Sequence, residues 1–340
     1  MAEQQRPEEA PVTEDTPMLD LPVFPVDGPL DEQTFFASTP PATGLPACRR
    51  LAFGTAGIGG SWGERVDADG VEVLHDVWAS GFMLTDSAKK YGRAESIIGQ
   101  ALATWTGDAP VIATKFGDEG PKRDDTPAGL DRHLADSAAK FGGRHPDMVA
   151  LHEPHMVTGQ ARATAIEHIR TLLSAGRISA AGLGGGGPEA QKDYINSGVF
   201  RYAITFLRVN AVTLQGLADT VPQARAKGVK VFAASPLHMG LLGARYDIIR
   251  EQKPSYGADV FFDRAAAQRR VAEEAGIAVT QLALRFLLSM PAIDYVLAGA
   301  SRMSEWLDCK AAYEAGPLPA DVYEAVWRNA QQGSEPYVGY

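Results

Sequence analysis

Eight short apolar runs recur along the chain, and segments of helical spacing separate them. The runs lie at 51–55, 82–86, 111–116, 147–152, 180–184, 203–208, 229–235 and 295–300. Helical periodicity falls at 71–79, 94–105, 128–140, 161–175, 188–196, 215–227, and 264–275 continuing into 281–290. Strands that alternate with helices of this length build a parallel sheet. Eight such units over about 280 residues match a closed (β/α)8 TIM barrel in length and count. The alternative, an open doubly wound sheet, requires a glycine-rich turn that opens a helix after the first strand. Gly57-Ile58-Gly59 opens no helix, and no acidic residue ends the second strand at the expected distance. It reads as a tight turn at the barrel mouth.

The barrel is expected over residues 47–340, as one domain. Residues 1–46 form an irregular extension, because proline recurs from Pro7 to Pro46 and forbids regular structure. Leu19 to Phe24 and Phe35-Phe36 are its candidates for docking against the body. Nine acids in this stretch face Arg6 alone, so it carries most of the net charge of −10. That charge excludes a nucleic-acid or anionic-membrane partner. An apolar share of 45% with 22% charged residues is enough for a large core. Cys48 and Cys309 are too few for a disulfide framework. The acidic, proline-rich start has no signal-peptide pattern, and no run approaches a membrane span, so the expected compartment is the cytoplasm.

Three strand ends carry chemistry. The run ending in Leu84-Thr85-Asp86 is followed five residues later by Tyr91-Gly92. Lys115 closes Val111-Ile-Ala-Thr-Lys, and His152 closes Met148-Val-Ala-Leu-His. Chemistry in a β/α barrel collects at the C-terminal strand ends. A phenol is a poor acid–base group at neutral pH unless an ammonium stabilises its anion. A carboxylate behind the lysine keeps that ammonium charged and aimed. An imidazole beside the phenol can bind a carbonyl oxygen or relay a proton. Asp86, Tyr91, Lys115 and His152 together suit proton exchange with a carbonyl or carbinol oxygen, paired with hydride transfer. No side chain carries hydride, so a nicotinamide cofactor is implied. His145, His152 and His155 straddle a strand and Pro154 without a cysteine, so no metal site is expected. No Gly-x-Ser-x-Gly element supports a serine hydrolase.

Two further segments stand out. Gly184 to Gly187 precedes Pro188 at a helix start, and reads either as a permissive loop or as a backbone surface for a flat ligand. Both readings stay open. The stretch 243–263 is the longest irregular one, and Tyr246, Tyr256, Phe261 and Phe262 would let it close over a ligand.

These residues resemble the aldo-keto reductase superfamily. Asp86-Ser-Ala-Lys-Lys-Tyr91-Gly is similar to its Asp-Thr-Ala-x-x-Tyr-Gly element, and Thr114-Lys115 and Leu151-His152 to two others. The resemblance covers residues 49–316. His152-Glu-Pro-His, Ser235-Pro-Leu-His-Met-Gly-Leu-Leu, Leu282-Ala-Leu-Arg-Phe-Leu-Leu and Gly299-Ala-Ser-Arg are most similar to the bacterial aldose 1-dehydrogenase branch (D-threo-aldose, L-fucose and pyridoxal dehydrogenases).

The resemblance implies NAD or NADP across the barrel mouth, Tyr91 as acid–base, Lys115 and Asp86 tuning it, and His152 orienting a small-molecule substrate. It implies cofactor contacts from Gly54, Thr55, Gly184, Gly185, Phe206, Ser235, Pro236, Leu237, Gly299, Ser301, Arg302, Glu305 and Asp308. The chain also departs from the family. Gly184-Gly185-Gly186 stand for a usual Asn, Phe206 for a glutamine, Ala234 for a stacking aromatic, and Asp308-Cys309 for Glu-Asn. Glu305 replaces an Arg or Gln and would repel a 2′-phosphate, which favours NAD; Arg302 nearby pulls the other way. The expected activity is oxidoreduction of a sugar lactol or small aldehyde. The alternatives are a biosynthetic carbonyl reductase of the same family, and a non-redox isomerase- or lyase-like or binding member. Oligomeric state is not legible.

Overall fold

The computed structural model describes residues 28–39, 47–61, 70–117, 123–252, 254 and 259–332. Most of the acidic extension, with Leu19 to Phe24, lies outside the described residues, as does Tyr256. Eight parallel strands close into a barrel in sequence order: β1 (Leu51–Gly54), β2 (Leu84–Asp86), β3 (Val111–Phe116), β4 (Met148–His152), β5 (Ala180–Gly184), β6 (Tyr202–Phe206), β7 (Lys230–Ala234) and β8 (Tyr295–Gly299). β1 closes the ring on β8, with Gly54 opposite Gly299. This is the (β/α)8 TIM barrel that the alternation requires.

The barrel interior is filled unevenly. β1 to β5 contribute small residues such as Ala52, Ala113, Ala150 and Ala180, whereas β6 to β8 contribute Tyr202, Phe232 and Tyr295. Those three rings stack in a row, with centroids 4.9 and 4.7 Å apart. Gly182 makes the row possible, because a Cβ there would run into the Tyr202 ring. The larger core lies outside the strands, under helices α2 (Gly70–Ala79), α3 (Ala94–Thr104), α4 (Pro127–Lys140), α5 (Gly159–Ser174) and α6 (Pro188–Asn196) and under those that follow β6, β7 and β8.

Several expected bounds shift. Residues 215–227 form two short helices, α7 (Gln215–Ala218) and α8 (Thr220–Arg225), because Asp219 leaves helical dihedrals and its carboxylate caps Thr220. The stretch 243–263 is not irregular throughout: it holds α9 (Tyr246–Gln252) and the start of α10 (Asp259–Glu274). Phe261 and Phe262 are buried on α10 instead of free to cover a ligand. Phe261 faces the His238 ring, and Tyr246 covers the Arg269 guanidinium. α11 (Val279–Leu288) is followed after β8 by α12 (Met303–Glu314) and α13 (Ala320–Ala330), which fall beyond the helical periodicity described above.

Part of the extension is folded. α1 (Glu32–Phe36) buries Phe35 against Tyr313, and Thr39 pairs with Cys48 in an antiparallel bridge. Tyr295, at the start of β8, donates its hydroxyl to the Thr39 carbonyl. Among the described residues no helix is long and apolar enough to cross a membrane.

Candidate active site

Asp86, Lys115 and His152 each end their strand's inward row, and the register sets them side by side. Asp86 pairs with Ala113, Lys115 with Ala150, and His152 with Gly184. All three are buried: Asp86 is 6% exposed, Lys115 4% and His152 8%. Lys115 Nζ donates to Asp86 Oδ2 at 2.5 Å and to the Ser87 carbonyl at 2.9 Å. The same ammonium lies 4.9 Å from the centre of the Tyr91 ring. Tyr91 stands edge-on to His152, with centroids 6.4 Å apart. The four residues from separate stretches of sequence thus come together around one ammonium.

Burial works against the Lys115 charge, but attraction and hydrogen bonds from Asp86 and Tyr91 outweigh it and raise the pKa of the amine. Burial alone would push the Asp86 carboxyl up, and Lys115 opposes that shift. His152 falls to about 2, first through burial and then through repulsion from Lys115, Lys90 and Arg123. It is therefore a neutral imidazole at any working pH, able to donate or accept one hydrogen bond at each nitrogen according to tautomer.

The loop that carries Tyr91 is held by backbone approach. Tyr91 N–H donates to Ala88 O at 3.0 Å, and Arg93 N–H to Gly59 O at 3.1 Å. Gly92 takes φ +57°, and a Cβ at either Gly59 or Gly92 would overlap the other loop's backbone. On its far side Gly57 lies against Ala300. The glycine turn after β1 thus clasps the loops after β2 and β8 together at the mouth.

The expected cofactor contacts separate into groups. Pro236, Leu237, Gly299, Glu305 and Asp308 line one cleft of about 110 Å³. Thr280 and Leu284 on α11 complete it; nothing in their own residue types marked them beforehand. Cys309 also faces it, and burial followed by Asp308 and Glu305 pushes its thiol up to about 12. Ser301 donates its backbone N–H to Glu305 Oε2 at 2.7 Å, and Arg302 pairs with the same carboxylate at 3.2 Å. Gly54 ends β1 beside Gly299, while Thr55 is fully buried and spends its hydroxyl on the Asp86 carbonyl. Its backbone is engaged too: its N–H donates to the Asp86 carbonyl and its own carbonyl accepts from Gly59 N–H, both at 2.9 Å. Gly184 lies beside the central four: a Cβ there would touch Lys115 Cδ at 3.3 Å and His152 Cδ2 at 3.4 Å. Gly185 opens onto free space, and Gln191 holds its carbonyl at 2.9 Å. Phe206 is half-buried at the end of β6, and Ser235 half-buried just after β7.

Backbone strain marks the same face. Every non-glycine residue with positive φ among those described lies just after β4, β6 or β7: Glu153, Leu207, Ser235, His238 and Met239. Such conformations cost on the order of 1–3 kcal/mol each and collect where a ligand must be met. Gly299, the cleft's apolar walls and its carboxylate rim suit a dinucleotide whose ribose hydroxyls and amine donate hydrogen bonds. No group of three or more metal-ligating side chains occurs among the described residues.

Fold and site together define a barrel enzyme with a tyrosine, lysine, aspartate and histidine at its C-terminal mouth. The chain belongs to the aldo/keto reductase family, which matches residues 50–328. It is an oxidoreductase of the nicotinamide-dependent kind. An uncharacterised oxidoreductase of Mycobacterium tuberculosis is 25% identical over 278 residues, 77% of this chain and 83% of that one. L-galactose dehydrogenase of Arabidopsis thaliana is 23% identical, over 75% of this chain and 81% of its own length. Among solved structures, the glycerol dehydrogenase of Gluconobacter oxydans superposes with a TM-score of 0.71 at 23% identity, covering 90% of this chain and 98% of that one. An aldo-keto reductase of Bacillus halodurans in its holo form gives the same TM-score at 21% identity, over 88% and 98%.

Proposed function

We propose that this protein interconverts the hydroxyl and carbonyl forms of a sugar lactol or small aldehyde with NAD, in the manner of the aldose 1-dehydrogenase branch. The observation that carries this reading is the Lys115 ammonium, set between the Asp86 carboxylate and the Tyr91 ring. In the oxidative direction Tyr91 takes the hydroxyl proton, and in the reductive direction it returns one. The adjacent ammonium stabilises the phenolate, and Asp86 keeps Lys115 charged and aimed. His152, held neutral, binds the substrate oxygen without competing for its proton. The nicotinamide, when bound, supplies or accepts the hydride that no side chain can carry.

Two relatives are named for polyhydroxylated compounds, L-galactose and glycerol, which supports a substrate of that class. For the cofactor, a 2′-phosphate brought to the start of α12 would meet the Glu305 carboxylate and find Arg302 already paired. That favours NAD over NADP. A second reading draws on Gly184 to Gly186, Phe206 and Ala234, which offer a nicotinamide few polar or stacking partners: the same Tyr91 site would then perform proton transfer alone, as an isomerase does.

Tyr91→Phe tests the reading. It removes the exchangeable proton and little else. Turnover should fall about 10²- to 10⁴-fold while NADH affinity changes by less than about threefold. Turnover at the parent rate would show that the proton travels through another group.

A further inference from the structure

Two consecutive lysines precede Tyr91, and they reach in different directions. Lys89 Nζ donates to Asp136 on α4 at 3.0 Å, and Lys90 Nζ donates to Glu153 Oε1 at 3.1 Å. Glu153 directly follows His152 in the chain. The second ion pair therefore joins the residue before Tyr91 to the residue after His152, across the gap where the two rings stand edge-on. Lys90 is also near enough to the imidazole for its charge to oppose protonation of His152.

Glu153 meets Lys90 from an unfavourable backbone conformation. It takes φ 47° and ψ 62°, the left-handed region that a residue with a Cβ enters only at a cost. Its N–H donates to Gly184 O at 2.9 Å, and its carbonyl accepts from Met156 N–H at 3.0 Å. Glycine would make this turn without strain, but it has no carboxylate to offer Lys90. The Lys90 and Glu153 side chains are 40% and 34% exposed, so solvent and salt screen their attraction and it returns little stability. Strain held beside a reacting group, with so little stability in return, points to placement as the purpose of the pair.

We propose that Lys90 and Glu153 are positioning residues, whose ion pair sets the distance between the Tyr91 phenol and the His152 imidazole so that both meet one substrate oxygen. This rests on the oxidoreductase reading above and deepens it. The clasp of Gly59 and Gly92 restrains the Tyr91 loop from the β1 side, and the ion pair restrains it from the β4 side. Proton exchange is sensitive to small displacements, so a pair that adds little to stability can still govern rate.

The test measures kcat and KM for glyceraldehyde reduction by NADH in the parent, Lys90→Met, Glu153→Gln, the two combined, and the exchanged pair Lys90→Glu with Glu153→Lys. Each single change should lower kcat about three- to tenfold, with KM and NADH affinity within about twofold of the parent. The combined variant should lose no more than either single one, and the exchanged pair should recover most of the loss. Sodium chloride at about 1 M should bring the parent down to the level of the variants. An unchanged kcat, losses that multiply in the combined variant, or a change confined to KM overturns the proposal. Should no hydroxyl or carbonyl compound turn over with either nicotinamide, the oxidoreductase reading fails separately. The nuclear Overhauser effect between the Tyr91 and His152 rings then decides the positioning role. An effect that weakens in Lys90→Met and returns in the exchanged pair supports it, and one that stays the same overturns it.

Discussion

Lys115 and His152 divide the electrostatic work at this site. One is a buried cation kept charged by Asp86 and Tyr91, and the other is an imidazole that burial and three nearby cations keep neutral. The His152 shift has a consequence for stability. Its folded pKa lies below the ordinary value of 6.5, so folding favours the neutral ring. That contribution is intact above pH about 6.5 and is lost as pH falls, since the unfolded chain binds the proton that the folded ring refuses. By pH 5 the loss is on the order of 2 kcal/mol. Denaturant midpoints measured between pH 7.5 and 5 should fall less steeply in His152→Gln than in the parent. Parallel curves would show that the ring titrates freely in the folded protein. The catalytic rate should likewise show no limb from this histidine over that interval. Of these residue-scale features, the four side chains could be read from the sequence because each closes an apolar run.

The elements around Tyr91 owe their placement to absent side chains. The turn after β1 approaches the loop after β2 so closely that Gly59 and Gly92 each leave room only for hydrogen. Gly59→Ala should push the Tyr91 loop outward and cut turnover by tenfold or more, with NADH affinity and the far-ultraviolet spectrum little changed. Turnover within twofold of the parent would mean that the clasp does not set the tyrosine. Behind the same loop, Glu95 on α3 accepts from Thr114 at 2.7 Å, Ser137 at 2.7 Å and Lys140 at 2.8 Å, which ties α3 to β3 and α4. The strands were legible because each is a short apolar run bounded by turn residues. The split at Asp219 and the helices within 243–263 were not: there, a capping carboxylate and packing on His238 and Arg269 override local pattern.

At the scale of the whole molecule, closure of eight strands brings the loops after β7 and β8 beside the tyrosine clasp, so that one mouth holds both the proton site and the cleft rimmed by Glu305 and Asp308. Sequence spacing foretold the barrel, but not the cleft walls on α11, because periodicity marks Thr280 and Leu284 as helical without showing that they face Gly299 once α11 packs on β8. It also left open whether the extension touches the body; Phe35, buried against Tyr313, shows that part of it does. The central claim is that this mouth binds a nicotinamide dinucleotide next to Tyr91, with NAD preferred. Titrating the intact protein into NADH and into NADPH, and following nicotinamide fluorescence, tests it most directly. Saturable binding of NADH below roughly millimolar, tighter than NADPH by tenfold or more, is the predicted result. Absence of binding by either dinucleotide in that range would contradict the account.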